Sequence, residues 1–448
     1  MRPCFKIHRS LLMAALRDLE RPHPFAAERL GFFSCRQSLH ERRPFLLCCA
    51  YHSIPDEYYV HDRSCCARIN GDAIRSAMGR SFRDQCGELW IHTHGRHGRP
   101  VPSPTDRAEG PNVVRSLANA QPASVQGWAV ISEEGISGQI RTLDGILHEL
   151  DEIAVVGWPM KVAGFSEDLR VSEAGEITKT SSGGRYARQS FLGAHSQRIF
   201  EAAKIGIVGL GGGGSHISQQ LAHIGFQRVV LCDADRAELT NLNRLIGATL
   251  QDVRKKRAKS LIAGRLFRTL QPKAEIDDRP AKWEEKRESL RDCDIILGCI
   301  DSFSGRRDLE AFCRSLLIPM VDIGMVALRP LTGHPEIYGQ VIVSMPGEPC
   351  LHCVQFLTPS NLAREAEDYD GSPQPQVVWS NGALASIAVG HAIGLLTGWS
   401  GPSPAAFRID HRGSTLTMSA SHVATALQGR RCKHYPLSGA GDPRFIKL

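Results

Sequence analysis

The apolar positions of this chain come in short runs separated by longer amphipathic stretches, the pattern of strands alternating with helices. In the first third, residues 5–40 read as a helix and a connection, 45–50 as a buried strand, 73–85 as a helix and 88–91 as a second strand. Runs at 127–131 and 153–157 read as closing strands of the same unit. Residues 166–184 carry few large apolar side chains and end in Ser181-Ser182-Gly183-Gly184, the composition of a linker. Beyond Arg185, strands are predicted at 205–208, 229–232, 294–297, 318–324 and 339–345, with a helix after 301 that buries Cys313 and an apolar helix over 381–398. The expected fold class is α/β in two domains, residues 5–165 and 185–448, the second a Rossmann-like doubly wound sheet.

The second domain opens on its most informative stretch. The strand at 205–208 runs into Gly209-Leu210-Gly211-Gly212-Gly213-Gly214-Ser215, a helix follows, and the next strand ends in Asp233-Ala234-Asp235. Gly209, Gly211 and Gly214 fit G-x-G-x-x-G: without Cβ atoms the backbone turns tightly, and its N–H groups approach a phosphate at the helix N-terminus. Asp233 stands where a carboxylate accepts a ribose hydroxyl. The glycines alone suit a nicotinamide or flavin oxidoreductase as well as an ATP enzyme. Thr240-Asn241-Leu242-Asn243-Arg244 separates the two, because it brings a guanidinium and two amides toward the phosphates. Lys259 follows in a basic helix, and Asp301 emerges beyond the strand at 294–297. Such a set suits magnesium-assisted nucleotidyl transfer and not hydride transfer.

In the first domain the strand at 88–91 feeds His92-Thr93-His94, and Ser103-Pro104-Thr105-Asp106 follows a Gly/Pro-rich loop. Histidines at i and i+2 on a strand face the same side. With Asp106 they make a two-His, one-carboxylate set that leaves a position on Zn²⁺ open for water. His97 is a rival ligand. A further carboxylate is needed as general base, and Glu41 is chosen over Glu57 and Glu88. Glu88 lies roughly 13 Å from His92 along its own strand at about 3.3 Å per residue. Ser103 is the candidate donor to a developing oxyanion.

Residues 185–399 resemble the ThiF/MoeB/HesA family, bacterial relatives of ubiquitin-activating enzymes. The resemblance rests on Arg185-Tyr186-Ala187-Arg188-Gln189, the glycine turn, D-x-D, N-L-N-R, Asp301-x4-Arg306 and the final apolar helix. It implies ATP-dependent adenylation of the C-terminal glycine of a ubiquitin-like protein. By position it gives Asp233 the ribose, Arg244 and Lys259 the phosphates, and Asp301 the magnesium. Different counts leave Lys256 and Arg257 as alternatives to Lys259. It gives Arg188 a reach into the active site of a partner subunit, hence a homodimer. Relatives hold a structural zinc with two C-x-x-C pairs; here Cys350 and Cys353 form one pair, and Cys432 and His434 stand near the other. Members that form a thioester or persulfide carry a cysteine before the last apolar helix, whereas this chain has none between Val354 and Arg431. The resemblance therefore implies that the acyl-adenylate passes to an external thiol or sulfur carrier.

Residues 5–165 resemble the JAB/JAMM (MPN) metalloproteases through a Glu before a core strand, H-x-H and S-x-x-D. Gly95 replaces the usual Pro, and the loop to Ser103 is one residue longer. Together the two resemblances imply a bifunctional enzyme of a bacterial ubiquitin-like system. It would trim a modifier's tail with Zn²⁺ and adenylate the exposed glycine with ATP and Mg²⁺, with a conjugating enzyme or sulfurtransferase as further partner. The alternatives are adenylation of a sulfur-carrier protein for cofactor or metabolite biosynthesis, and a non-catalytic scaffold that binds a ubiquitin-like protein.

Composition adds exclusions. The 448 residues are 42% hydrophobic and 23% charged, an ordinary globular balance. The net charge of +7 is spread thinly, and the basic run at 254–257 has no interleaved aromatics, so nucleic acid is not expected and a solvated helix face is. No apolar run reaches the roughly 18 residues of a membrane span, and a cytoplasmic protein is expected. Fourteen cysteines in a chain of this length read as reduced thiols, not a disulfide framework.

Overall fold

The computed structural model describes residues 3–22, 26–38, 44–61, 66–162, 184–328, 333–367, 375–401 and 407–442. The expected linker at 166–184 lies outside them except for Gly184. The described residues build two eight-stranded sheets.

The first sheet comprises β1 (Cys4–His8), β2 (Gly31–Ser38), β3 (Phe45–Ser53), β4 (Gly87–His92), β5 (Gln126–Ile131), β6 (Ile136–Arg141), β7 (Leu147–Leu150) and β8 (Glu152–Val156), in the order β7-β6-β5-β4-β2-β3-β1-β8. Helices Arg9–Leu19, Gly71–Asp84 and Pro104–Ala120 belong to this half. Residues 5–40 are thus not one helix and a connection: β1, the helix Arg9–Leu19 and β2 divide them. Every residue of β1 is buried, Lys6 and His8 included, and β2 begins with five buried residues. A strand covered on both faces has no alternation by which a sequence could reveal it.

The second sheet comprises β9 (Lys204–Val208), β10 (Arg228–Cys232), β11 (Glu275–Asp277), β12 (Ile295–Gly298), β13 (Met320–Leu328), β14 (Glu336–Ser344), β15 (Arg408–Arg412) and β16 (Thr417–Ala420), in the order β11-β10-β9-β12-β13-β14-β15-β16. From β11 to β13 it is parallel and doubly wound; from β13 to β16 it is antiparallel. The order in which strands are added reverses between β9 and β12, so the crevice for a ligand opens at the carboxyl ends of these two strands.

The two halves share apolar packing. Phe45, Leu47, Val156 and Trp158 of the first half lie in the same buried cluster as Ile205, Val341 and Leu395 of the second. Met160 N–H donates to Leu395 O at 2.7 Å, and the Arg36 guanidinium donates to Ser438 O and Ala440 O. Among the described residues one helix, Val378–Thr397, is long and apolar enough by length and composition to cross a membrane, which corrects the reading of no such run. It packs on the helix Gly212–Ile224 and on β13 and β14. Small residues make it apolar, with few of the large side chains that announce a span in sequence.

Candidate functional site

Three parallel strands deliver the first constellation. β9 pairs with β10 on one side and β12 on the other, so Gly209, Asp233 and the segment leading to Asp301 leave the sheet side by side. Gly209 has φ +86°, its N–H donates to Cys232 O at 2.9 Å, and a Cβ there would lie 2.4 Å from Cys299 O. A Cβ on Gly214 would lie 1.9 Å from Gly209 O, so the close helix–strand approach requires glycine. Gly211 caps the helix Gly212–Ile224 with no side-chain hydrogen bond. The first-turn N–H groups are therefore left to a ligand.

Asp233 Oδ2 accepts the Leu210 N–H at 2.7 Å and Oδ1 accepts the Asp235 N–H at 2.8 Å, which lays the carboxylate along the turn. Burial pushes its pKa up, against the pull of Lys259. Lys259 Nζ reaches Asp235 Oδ2 at 2.7 Å, while Arg257 is committed to Asp252 at 3.1 Å; the geometry brings Lys259 to the acidic turn. The segment that carries Arg244 is tied to the glycine helix, because Ile246 N–H donates to Ser215 Oγ at 3.1 Å. The Arg244 guanidinium rests on Thr240 O and Asn243 Oδ1. Asn241 departs from expectation: it is buried, and its Oδ1 accepts the Glu238 N–H, so its amide caps a local turn.

Asp301 is exposed just beyond β12. Arg306 turns inward to Ile300 O at 2.7 Å and Asp322 at 3.3 Å. Arg188 is exposed on the short helical turn Ala187–Leu192. Sequence reasoning missed two residues here. Asn381 Nδ2 stands 2.3 Å from where a Gly212 Cβ would be, so it flanks the glycine turn. Glu365 accepts the N–H groups of Phe303 (2.6 Å) and Ser304 (2.9 Å), fixing the helix after Asp301. Asn381 carried a signal as a polar residue opening an apolar helix; Glu365 carried none.

The second constellation stands at the end of β4. His92 Nε2 lies 3.1 Å from both His94 Nε2 and Asp106 Oδ1, and His94 Nε2 lies 3.3 Å from Asp106 Oδ2. Metal–ligand bonds of about 2.0–2.1 Å at tetrahedral angles separate ligand atoms by roughly 3.3 Å, so this donor set fits zinc. His94 Nδ1 is 2.9 Å from Val101 O, which fixes the ring with Nε2 turned to the cluster. Ser103 and Asp106 form a reciprocal cap at the helix Pro104–Ala120: Ser103 N–H donates to Asp106 Oδ2 at 2.7 Å, and Ser103 Oγ accepts the Asp106 N–H. Ser103 keeps its hydroxyl proton for a further partner. Burial opposes ionisation of Asp106, but His92, Ser103 and His94 outweigh it and hold the carboxyl below the ordinary range. His97 is exposed and outside the cluster.

The carboxylate that joins these histidines is Glu28, 3.9 Å from His94 Nε2 and grouped with His92 and His94. Burial pushes its pKa above the ordinary carboxyl range, the direction that strengthens a carboxylate as a proton acceptor. Glu41 lies outside the described residues. The strand ends that flank it lie far from the histidines: Gly31, opening β2, pairs with Ile91 beside His92, whereas Ser38, closing β2, pairs with Phe45. That length of strand spans roughly 23 Å at about 3.3 Å per residue. Glu28 is thus the carboxylate that the described residues bring to the histidines.

A third set gathers Cys350, Cys353, Cys432 and His434. Cys350 and Cys353 Sγ are 3.6 Å apart, Cys353 and Cys432 Sγ 3.9 Å, and His434 Nδ1 is 3.5 and 3.4 Å from the first two. Zinc–sulfur bonds of about 2.3 Å at tetrahedral angles imply roughly 3.8 Å between sulfurs, so these ligands fit a closed structural zinc. Buried Glu310 and Arg314 brace the knuckle: Glu310 accepts the Leu351 N–H, and Arg314 donates to Glu348 O and Pro349 O.

Comparison with known proteins adds a family match: the model of the ThiF family covers residues 185–432, over half of the chain. The sulfur carrier protein ThiS adenylyltransferase of Escherichia coli is 27% identical over 226 residues, 49% of this chain and 83% of that protein. The sulfur carrier protein adenylyltransferase of Thermus thermophilus is 29% identical over 181 residues, 38% of this chain and 63% of that protein. A crystal structure of E. coli MccB with ATP covers 56% of this chain and 74% of that chain, at 20% identity and a TM-score of 0.45.

Proposed function

This chain belongs to the ThiF family, and on that premise we propose that its second half uses ATP and magnesium to adenylate the C-terminal carboxylate of a small sulfur-carrier protein. The observation that carries the reading is the convergence, at the carboxyl ends of adjacent parallel strands, of an uncapped glycine turn, Asp233 and Asp301. Asp233 accepts the ribose hydroxyls, and the first-turn N–H groups, Arg244 and Lys259 receive the phosphates. Asp301 is the ligand for magnesium, whose charge would screen the phosphates. A carboxylate oxygen of the carrier attacks the α-phosphorus, the bond to the β-phosphate oxygen breaks, and pyrophosphate leaves. Arg188 completes the site of a second copy. The named relatives act on sulfur carriers, and the cysteine-free stretch between Val354 and Arg431 leaves the acyl-adenylate to an external sulfur donor.

ATP–pyrophosphate exchange tests this reading, with candidate carrier proteins ending in glycine. Exchange that depends on the carrier and disappears in Asp301→Ala is the expected result. Exchange indifferent to Asp301→Ala, or absent with every carrier, would refute it. Transfer onto protein lysines in place of sulfide capture would move the substrate from a sulfur carrier to a ubiquitin-like modifier.

A second reading rests on the His92–His94–Asp106 cluster. We propose that this half is a zinc hydrolase of the JAB/JAMM type that trims the tail of the same carrier. Zinc held there would supply an activated water; Glu28 receives its proton and returns it to the leaving amine, and the Ser103 hydroxyl donates to the developing oxyanion. Mass spectrometry of carriers extended beyond their terminal glycine, incubated with zinc-loaded protein, tests it. Intact tails after incubation, or cleavage undiminished by Glu28→Gln, would sink it.

A further inference from the structure

A cleft of about 660 Å³ lies where the two halves meet, and none of the glycine-turn residues, His92, His94 or Asp106 lines it. On one wall is the first turn of the helix Arg9–Leu19; on the other are the turns that hold Glu348 and the segment from Gln428 to Cys432. A volume of this size is that of a small-molecule site.

Three independent features define what it would take. The first is His8, which lines the cleft and is only 8% exposed. Its Nδ1 accepts the Ser10 N–H at 3.2 Å as the cap of the helix, so the ring proton belongs on Nε2. Nε2 is buried and has no hydrogen-bond partner. A native protein leaves such a donor unmatched where something else is to meet it. Burial, then Arg314, Arg431 and Arg9, push the His8 pKa down to about 4, so at neutral pH the ring is a neutral N–H donor.

The second feature is charge. Arg430 and Arg431 are exposed on the lining and have no ion-pair partner among the described residues. Arg9, next in chain to His8, donates to Pro159 O at 2.6 Å. The acid on the lining is Glu348, whose carboxyl is pushed up by burial, so cationic groups predominate. The third feature is the apolar part of the wall: Leu11, Trp158, Phe407 and Leu437.

We propose that this interdomain cleft binds a small phosphate monoester carrying an aromatic ring. The phosphate sits against Arg431, His8 Nε2 and the first turn of the helix Arg9–Leu19, and the ring lies on the Trp158–Phe407 wall. Guanidiniums, an imidazole N–H and helix N–H groups offer more donors than the two oxygens of a carboxylate accept. They match the three free oxygens of a phosphate monoester.

Isothermal titration of the full-length protein with phenyl phosphate tests the proposal, with inorganic phosphate, phenol and benzoate as partial ligands. Saturable binding is expected, at least about tenfold tighter for phenyl phosphate than for any partial ligand. Arg431→Gln should weaken it about tenfold or more. His8→Asn keeps a side-chain oxygen for the Ser10 N–H and removes the Nε2 donor. It should weaken binding several-fold while the melting temperature without ligand is unchanged. Absence of saturable heat up to about 10 mM, affinity unchanged in both variants, or benzoate binding as tightly as phenyl phosphate would each overturn it.

Discussion

In the first half, the side chains of His92, His94 and Asp106 already stand within 3.3 Å of one another, whereas the glycine turn of the second half is backbone, and Asp301 beyond the neighbouring strand is exposed. The two arrangements place specificity in different parts of the chain. A cluster of three donor atoms holds its shape only through what sits beneath it, here the Val101 carbonyl under His94 and the Ser103 cap under Asp106. A backbone cradle holds its shape through the absence of side chains, so it tolerates change everywhere except at the positions where a Cβ collides. Substitution should therefore silence one half and spare the other.

The largest effect expected is on the nucleotide half. Asp301→Ala should lower ATP–pyrophosphate exchange by about a thousandfold, the scale of removing a metal-held charge from the transition state. The zinc content and any tail cleavage by the first half should be unchanged. Concerted loss of both activities would show that the halves are coupled through their shared apolar packing.

On the other side, Glu28→Gln should reduce tail cleavage by about a hundredfold or more, in the range of a lost general base, while leaving zinc bound. Glu41→Gln should leave cleavage near the wild-type rate. His92→Ala should reduce zinc measured by atomic emission from two ions per chain to one, because the Cys350–Cys353–Cys432–His434 set keeps its own.

That pair of glutamates also marks where the sequence became unreadable. The glycine turn and Asp233 were legible because residue identity alone states the requirement: no Cβ at Gly209 or Gly214, and an acid at the end of the next strand. His92 and Asp106 were legible because a strand end and a helix cap fix their directions locally, whereas β4 stops at His92 and His94 is turned to the cluster by the Val101 carbonyl just beyond it. Glu28 depends on which strand lies beside β4. With β2 inside a stretch read as a helix and a connection, the first strand in view was β3, and the acid before it was Glu41. Asn241 was read as facing the nucleotide, and the structure spends its Oδ1 on the local turn: asparagine satisfies its own turn as readily as it meets a ligand. The fourth member of the knuckle, His434, is joined to Cys350 only by the folding back of a chain segment 84 residues long.

A subtler break separates two glycines of one turn. Gly214→Ala would drive a Cβ into the backbone oxygen of Gly209, which cannot swing away, and should cost on the order of 2–3 kcal/mol by thermal or urea unfolding. Gly211 has nothing within 4 Å of its absent Cβ and a φ of −74°, so Gly211→Ala should hardly move the melting temperature. Its new methyl would project where the phosphates approach, and KM for ATP should rise about tenfold. Equal loss of stability in both variants would mean that the turn is packed throughout and leaves no room for a ligand.

The smallest effect touches each half alike. Glu88 in the first and Asp322 in the second are buried acids whose pKa values burial pushes up to about 7, against the pull of Arg80 and Arg306 respectively. A carboxyl with a folded pKa above its unfolded value near 4 binds its proton more tightly in the native state. The folded chain therefore holds more protons between about pH 4 and 7, and stability must fall as pH rises through that window. Glu88→Gln and Asp322→Asn remove the titrating proton and keep the shape, so each should flatten the decline. Each variant should gain on the wild type at pH 7 relative to pH 5, by about 1 kcal/mol once the lost attraction to its arginine is set against the relieved burial. Urea unfolding at the two pH values measures this, and a steeper decline in either variant would mean that its arginine holds the carboxylate ionised throughout.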